Sequence, residues 1–403
     1  MATPKTPHEA ILLAARDVTK LTSALDAEML GTALLGSVYA VAEHDRADAV
    51  RAFVGDFLAA TARRRGAAAT AIRQVFAALV PDAPGAGAVR PGPPAPPWSA
   101  HLGRVRLTGS YAYGDVYGDQ TSYLATFAYE DDTGGGEEHA VVALVDHNIG
   151  IAKDIFVGPA APIVGQVREA CGGDELIWFA EVPPARLRGE VARHLAFTDD
   201  LDELPDDGSL ATDRALVGAR LAALPANGPP APESVRPLMD AERDRLQRDF
   251  LASPEAAAAR LADASGVEES SLHFCLSLIL DYAGSFPDPE PLRWSPMVAE
   301  LFLLDWVHRR AVLDMDDAAM LPRVVRAWAA YATRVRGLPA TAAARTDAAV
   351  VDMTDEFARL YATGERRSTA TAAVAQLISD GVDPNDPAAV DAWIQENRDR
   401  LGE

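Results

Sequence analysis

The chain has 403 residues, 49% hydrophobic and 24% charged. That is the balance of an ordinary globular protein and too much chain for one hydrophobic core, so several domains are expected and wholesale disorder is excluded. Its 37 basic and 59 acidic residues leave a net charge of −22, which repels phosphate backbones and anionic lipid and argues against a nucleic-acid binder.

Charge is unevenly spread: residues 1–90 carry +1, 91–225 carry −12 and 226–403 carry −11. From Pro7 to Val80, apolar residues such as Ile11, Leu12, Ala15 and Val18, then Met29, Leu30, Ala33, Leu34 and Val38, recur at helical spacing and predict a helical bundle over 1–80. Asp26 is the expected cap of its second helix. The most apolar stretch, Met29 to Ala42, is too short to cross a bilayer. The first residues lack an apolar signal core, so no membrane association is expected and the cytoplasm is the expected compartment. Residues 31–37, GTALLGS, lack the lysine and the preceding strand of a phosphate loop and are rejected as one. Arg63, Arg64 and Arg65 with Arg73 form the candidate basic patch, read as solvation of a helix end.

Residues 81–97, PDAPGAGAVRPGPPAPP, hold seven prolines and three glycines and read as a stiff linker. Over 98–224 the pattern changes to short β-branched and aromatic runs, VRLTGSYAYG, TSYLATFAYED, EEHAVVALVDHN and GIAKDIFVG, which predict a mostly antiparallel sheet. Residues 131–138, DDTGGGEE, are the expected hairpin loop between the second and third strands, and 147–150 the next turn. A helix near Pro162 to Ala170, a short strand in ELIWFAEV and a helix over Arg186 to Leu195 complete an α+β domain. The acidic run TDDLDELPDDG reads as an exposed loop, and residues 225–237 as a second Pro-rich break.

Residues 238–403 return to helical spacing. Ser253-Pro254-Glu255 and Ser295-Pro296 are helix-start signals, and Gly337-Leu338-Pro339 is a stop. Helices are predicted near 238–251, 254–264, 267–283, 295–311, 315–336, 345–363, 368–380 and 387–401. The expected fold is therefore multidomain α+β: a helical N-terminal bundle, a central mostly antiparallel α+β domain and an α-helical C-terminal domain.

No dinucleotide glycine fingerprint, Gly-x-Ser-x-Gly elbow or His-Glu-x-x-His motif is present. Cys171 and Cys275 have no Cys-x-x-Cys partner, which supports neither a disulfide framework nor a thiolate zinc site. The densest polar constellation is Asp115, Asp119, His139, Asp146, His147, Lys153 and Asp154. Carboxylates beside turn glycines at strand ends can gather a divalent cation, and the same residues are ordinary turn chemistry. Asp146 followed by Lys153 invites comparison with restriction-type nucleases, but the position two before the lysine is Ile151, not an acid. His273 and His308 lie on apolar helical segments, with Asp305 one turn before His308. Trp294, Trp306 and Trp328 read as core anchors.

The segments YGDVYGDQTSYLATFAYEDD, HAVVALVDHNIGIAKDIFV and SPMVAELFLLDWVHRRAVLD with LPRVVRAWAAYATRVRGLP resemble an uncharacterised family of hypothetical proteins from high-GC bacteria. The resemblance spans roughly 100–160 and 285–340, implies a cytoplasmic bacterial protein, and carries no assigned activity or site residue. Two functions are weighed. The first is a non-catalytic intracellular interaction or regulatory protein that engages a protein partner, or a second copy through the N-terminal bundle. The second is a metal-dependent hydrolase or small-ligand enzyme using Asp115, Asp119, Asp146 and His147, with Lys153 as electrostatic stabiliser and a divalent cation as cofactor.

Overall fold

A computed structural model describes residues 6–90, 92–130, 132–205, 209–226, 237–286, 289–383 and 386–398. The chain divides into two compact units, Met1–Ala231 and Pro232–Glu403. Most of the predicted break at 225–237 lies outside the described residues.

In the first unit the order is α1 (Pro7–Ala14), α2 (Ala24–Val41), α3 (Arg46–Thr61), α4 (Ala67–Leu79), β1 (Val105–Asp115), β2 (Gln120–Tyr129), α5 (Asp132–Gly135), β3 (His139–Asp146), β4 (Ile151–Pro159), α6 (Ala160–Gly173), β5 (Ile177–Glu181), α7 (Pro184–Asp199) and α8 (Ser209–Ala222). The five strands form one antiparallel sheet in the order β4-β3-β2-β1-β5. Side chains alternate between its faces. Ala125, Phe127, Val141, Ala143 and Val145 join the helical layer in the main core, while Leu124, Ala140 and Val142 meet Ile163, Val164 and Val167 of α6 on the other face.

That shared core corrects the expected division into a 1–80 bundle, an 81–97 linker and a 98–224 domain. Val54, Phe57, Val75 and Phe76 of the helices belong to the same buried cluster as the sheet residues. Residues 81–97 are a strap rather than a tether. Ala83 and Ala86 are buried, Pro84 lies against Gly55, and the Gln74 amide donates to the carbonyls of Arg90 (2.7 Å) and Gly92 (3.2 Å). The prolines stiffen the strap, while its own small apolar side chains give it something to bury.

Helix α2 differs from expectation in two ways. Its N-cap is Ser23, whose hydroxyl accepts from the Asp26 N–H (3.1 Å) and donates to the Asp26 carboxylate (2.7 Å), so Asp26 supports the cap from inside the first turn. It also runs for 18 residues and is long and apolar enough to cross a membrane, although the apolar stretch within it looked too short. Here it packs inside the unit with Glu28, Thr32 and Tyr39 buried. Gly31 and Gly36 allow the close approach. A Cβ on Gly31 would lie 2.3 Å from Val75 Cγ1, and one on Gly36 would lie 2.7 Å from the Ala211 carbonyl oxygen of α8.

The β2–β3 connection contains the single turn α5, with Asp131 outside the described residues. Helix α8 follows the acidic run, of which residues 206–208 are outside the described residues, and was not anticipated. It helps to close the edge of β4. Asp213 accepts from the Val157 N–H (3.0 Å), and the Thr198 hydroxyl of α7 both accepts from the Ala152 N–H (3.0 Å) and donates to its carbonyl (2.9 Å). An edge strand supplied with such partners is a poor template for another chain.

The second unit is helical: α9 (Asp240–Leu251), α10 (Pro254–Ala258), α11 (Val267–Gly284), α12 (Pro296–Glu300), a π-helical segment Leu301–Trp306, α13 (Val307–Arg310), α14 (Met315–Val335), α15 (Ala340–Thr363), α16 (Thr369–Ser379) and α17 (Pro387–Glu396). Ser253 and Ser295 are N-caps, as the sequence signals predict. Helix α10 is shorter than the predicted 254–264, and the chain takes a left-handed conformation at Arg260 (φ 55°) just beyond it. Trp294 and Trp328 are buried core anchors whose indole N–H groups both donate to the Pro291 carbonyl at 3.0 Å. Trp306 is half-buried and stacks on Phe302.

Candidate functional site

Four of the residues singled out from sequence share one end of the sheet. Asp115 closes the β1–β2 turn, where its carboxylate accepts from the N–H groups of Gly118 (2.8 Å), Asp119 (3.1 Å) and Gln120 (2.8 Å). Asp146 is 8% exposed. It accepts from the Gln120 side chain (3.1 Å) and the Asn148 N–H (3.0 Å). The Asp119 carbonyl accepts from the His147 N–H (2.8 Å), and the His147 ring meets the Thr121 hydroxyl (3.0 Å). Gln120 and the His147–Asp119 bond thus join the two adjacent turns, and the Asp115 and Asp146 carboxylates hold backbone in place, the role Asp commonly has in turns. Lys153 and Asp154 lie along β4, at the irregularity where Leu144 pairs with Asp154 and Val145 with Ala152. Burial raises the proton affinity of Asp213, the Val157 N–H bond opposes this, and the nearby Asp154 adds a smaller upward effect. Among the described residues, no group of three or more His, Cys, Asp and Glu side chains is gathered to hold a metal ion.

His139 belongs elsewhere. It is 1% exposed, with Glu28 at 0%, Tyr129 at 1% and Arg220 at 1%. Arg220 of α8 pairs with Glu28 of α2, donates to the Tyr129 hydroxyl (3.0 Å) and donates through Nε to His139 Nε2 (2.8 Å). The Tyr129 hydroxyl donates to Glu28 (2.6 Å), whose second oxygen accepts from the Gly103 N–H (2.7 Å). Because His139 Nε2 accepts, the ring is neutral with its proton on Nδ1, beside the Glu137 carbonyl (3.3 Å). Burial, and secondly Arg220, push its pKa down to about 4. Burial, and secondly Glu28, push the Tyr129 phenol far above its usual range. These four side chains fasten α2, β2, β3 and α8 together inside the core.

A second arginine of α8 borders open space. Arg214 makes a two-pronged pair with Asp199 (2.9 and 2.5 Å), to which Tyr39 also donates (2.7 Å). Burial first, and then Asp199, raise the Tyr39 phenol. Beside this group lies a cavity of about 330 Å³ between α2, α3, the end of α4 and α8. Leu35, Val50 and Leu79 contribute apolar walls, and Gly36, Ala215, Gly218 and Ala219 leave the space open. At the rim Arg51 bridges Asp48 (2.7 Å) and Asp82 (3.4 Å). On the other side of α8 a smaller cavity of about 220 Å³ shares Arg214, Gly218 and Ala222 with the first.

In the second unit His273 is exposed and His308 is 5% exposed. Asp305, expected beside His308, instead pairs with Arg309 (2.8 Å) and Arg366 (3.5 Å). Burial lowers the His308 pKa, and its ring lies 5.3 Å from that of Phe357. Cys171 is half-buried and Cys275 buried, both as free thiols.

Sequence reasoning passed over Tyr39, Asp199, Arg214 and Arg220. A signal for α8 was present: Leu210, Leu216, Val217 and Leu221 repeat at helical spacing, with Asp213, Arg214 and Arg220 interleaved. No protein-family model, curated protein or solved structure matches the chain.

Proposed function

We propose that the protein is a non-catalytic binding and regulatory protein whose first unit takes a small, neutral, mainly apolar molecule between α2, α3 and α8. The reading rests on the cavity of about 330 Å³, a size within the roughly 300–1,000 Å³ of small-molecule pockets, with apolar walls and a few placed polar groups. Arg51 and Arg214 each already face carboxylates, so the cavity holds no unspent positive charge to attract an anion. Arg214 is held by Asp199 through Nε and one terminal nitrogen and also interacts with Tyr39, which sets a fixed guanidinium at the cavity edge that a ligand carbonyl or ether oxygen can approach. The free thiols fit a reducing intracellular setting.

Nile red, a neutral apolar dye with one carbonyl, is a suitable probe for the full chain. The expected result is a saturable blue-shifted fluorescence that Ala215→Leu and Ala219→Leu each weaken at least tenfold, with little change in melting temperature. Equal binding by the parent and both variants would overturn the reading.

A further inference from the structure

A separate groove of about 810 Å³ runs between α3, α4 and the strap at residues 84–90. Its floor is small and apolar, with Ala59, Ala62 and Ala88, and its walls carry Arg73, Gln74 and Arg90. Asp56 is the carboxylate in the lining. At one end the chain passes through Arg63, Arg64 and Arg65, all exposed.

These five arginines make no ion pair among the described residues, as is also true of Arg46, Arg106, Arg168, Arg186 and Arg188 of the same unit, but the first five gather around one groove. In a chain with 59 acidic and 37 basic residues, an arginine cluster without acidic partners is the less expected arrangement. Two of the five are also held in position. Arg73 donates to the carbonyls of Thr61 (2.5 Å) and Arg64 (2.9 Å), and Arg90 to those of Gly87 and Val89. Such bonds orient a guanidinium without neutralising it, and a fixed fork is suited to carboxylate. Gln74 is 5% exposed, spends its amide nitrogen on the strap, and has a buried carboxamide oxygen with no hydrogen-bond partner.

We infer that this groove binds an acidic peptide segment of a protein partner. The arginines take its carboxylates, the apolar floor takes its side-chain methylenes, and Gln74 holds the strap that forms one wall. The net charge of −22 works against any long polyanion and less against a short acidic peptide that ends within the groove.

Fluorescein-labelled hexaglutamate, titrated into the full chain and followed by polarisation, tests this. Binding should saturate at low salt and weaken as salt rises. Reversing the exposed charges in the triple variant Arg63→Glu, Arg64→Glu, Arg65→Glu should weaken it at least tenfold. Ala59→Trp, which fills the groove without changing charge, should weaken it comparably, with circular dichroism unchanged in both proteins. No binding of hexaglutamate would overturn the proposal. So would an Ala59→Trp protein that binds as well as the parent, since attraction would then be charge alone. Labelled hexauridylate binding as tightly as hexaglutamate would overturn the peptide assignment in favour of nucleic acid.

Discussion

Removing one partner of the buried Glu28–Arg220 pair should be among the most damaging changes available to the first unit. Both side chains are about 1% exposed, so Glu28→Gln leaves a guanidinium enclosed without its counter-charge, a change that costs about 3–5 kcal/mol in comparable buried pairs. Arg220→Met strands the carboxylate in the same way, although the Gly103 N–H and the Tyr129 hydroxyl still donate to it. The double variant Glu28→Gln, Arg220→Met buries no net charge. Its cost is set by hydrogen bonds lost at Tyr129 and His139, roughly 1–3 kcal/mol for each group left unpaired. The double variant should therefore be more stable than the sum of the singles predicts, by about 3 kcal/mol or more. Because the chain has two units, one unfolding curve would mix them. Native-state hydrogen exchange at the amides of Leu124, Ala125 and Val142 reports on the first unit directly. Single variants within about 1 kcal/mol of the parent, or additive costs in the double, would refute an internally compensated core pair.

The lowered pKa of His139, about 4 against an ordinary value near 6.5, makes the unfolded chain the better proton binder between those values. Stability from this group is present above pH 6.5 and lost as pH falls towards 4, by at most about 3 kcal/mol. Thermal melts across that interval should show a shallower decline in His139→Gln, with burial of His194 and His308 supplying slope of the same sign; equal slopes would contradict the assignment. Gly36→Ala and Gly165→Ala should act oppositely. The first places a methyl 2.7 Å from a backbone oxygen and should cost about 1–3 kcal/mol. The second, inside α6 with open space around it, should gain about 0.5–1 kcal/mol, and melting temperatures of the two variants check both signs. Asp115→Ala removes an acceptor of three backbone N–H bonds and should lower the melting temperature equally in EDTA and in Mg²⁺. A larger loss in Mg²⁺ would restore a metal-binding role.

Periodicity was enough for the strands and for most helices of the second unit, because Leu124–Ala125 and Val141–Val142 alternate between two buried faces and because Ser253 and Ser295 mark helix starts. It was not enough for α8. The preceding acidic run looked like the beginning of a long exposed loop, and charges at 213, 214 and 220 interrupt an apolar stripe whose partners lie far away in sequence. The same limit applies to the candidate site. Asp115 and Asp146 have the residue types of a metal site, and only geometry reveals that backbone amides and the Gln120 side chain donate to them. The cavity beside Arg214 is made by glycines and alanines, which carry no chemical signature in a one-dimensional reading.

The pairing of Glu28 with Arg220 spans 192 positions, and this has a consequence for a chain made from one end. While a ribosome is still adding the sheet, the carboxylate on α2 has no cation to meet and gains nothing by leaving water. The α2 surface that meets α8 at Gly36, next to Ala211 and Thr212, is uncovered over the same period. The N-terminal helices therefore wait, solvated at Glu28, for the last helix of their own unit. Completion of the first unit is timed by the emergence of α8, a long-range closure of the kind that slows folding. A chain released before residue 220 should expose the α2 face that α8 covers.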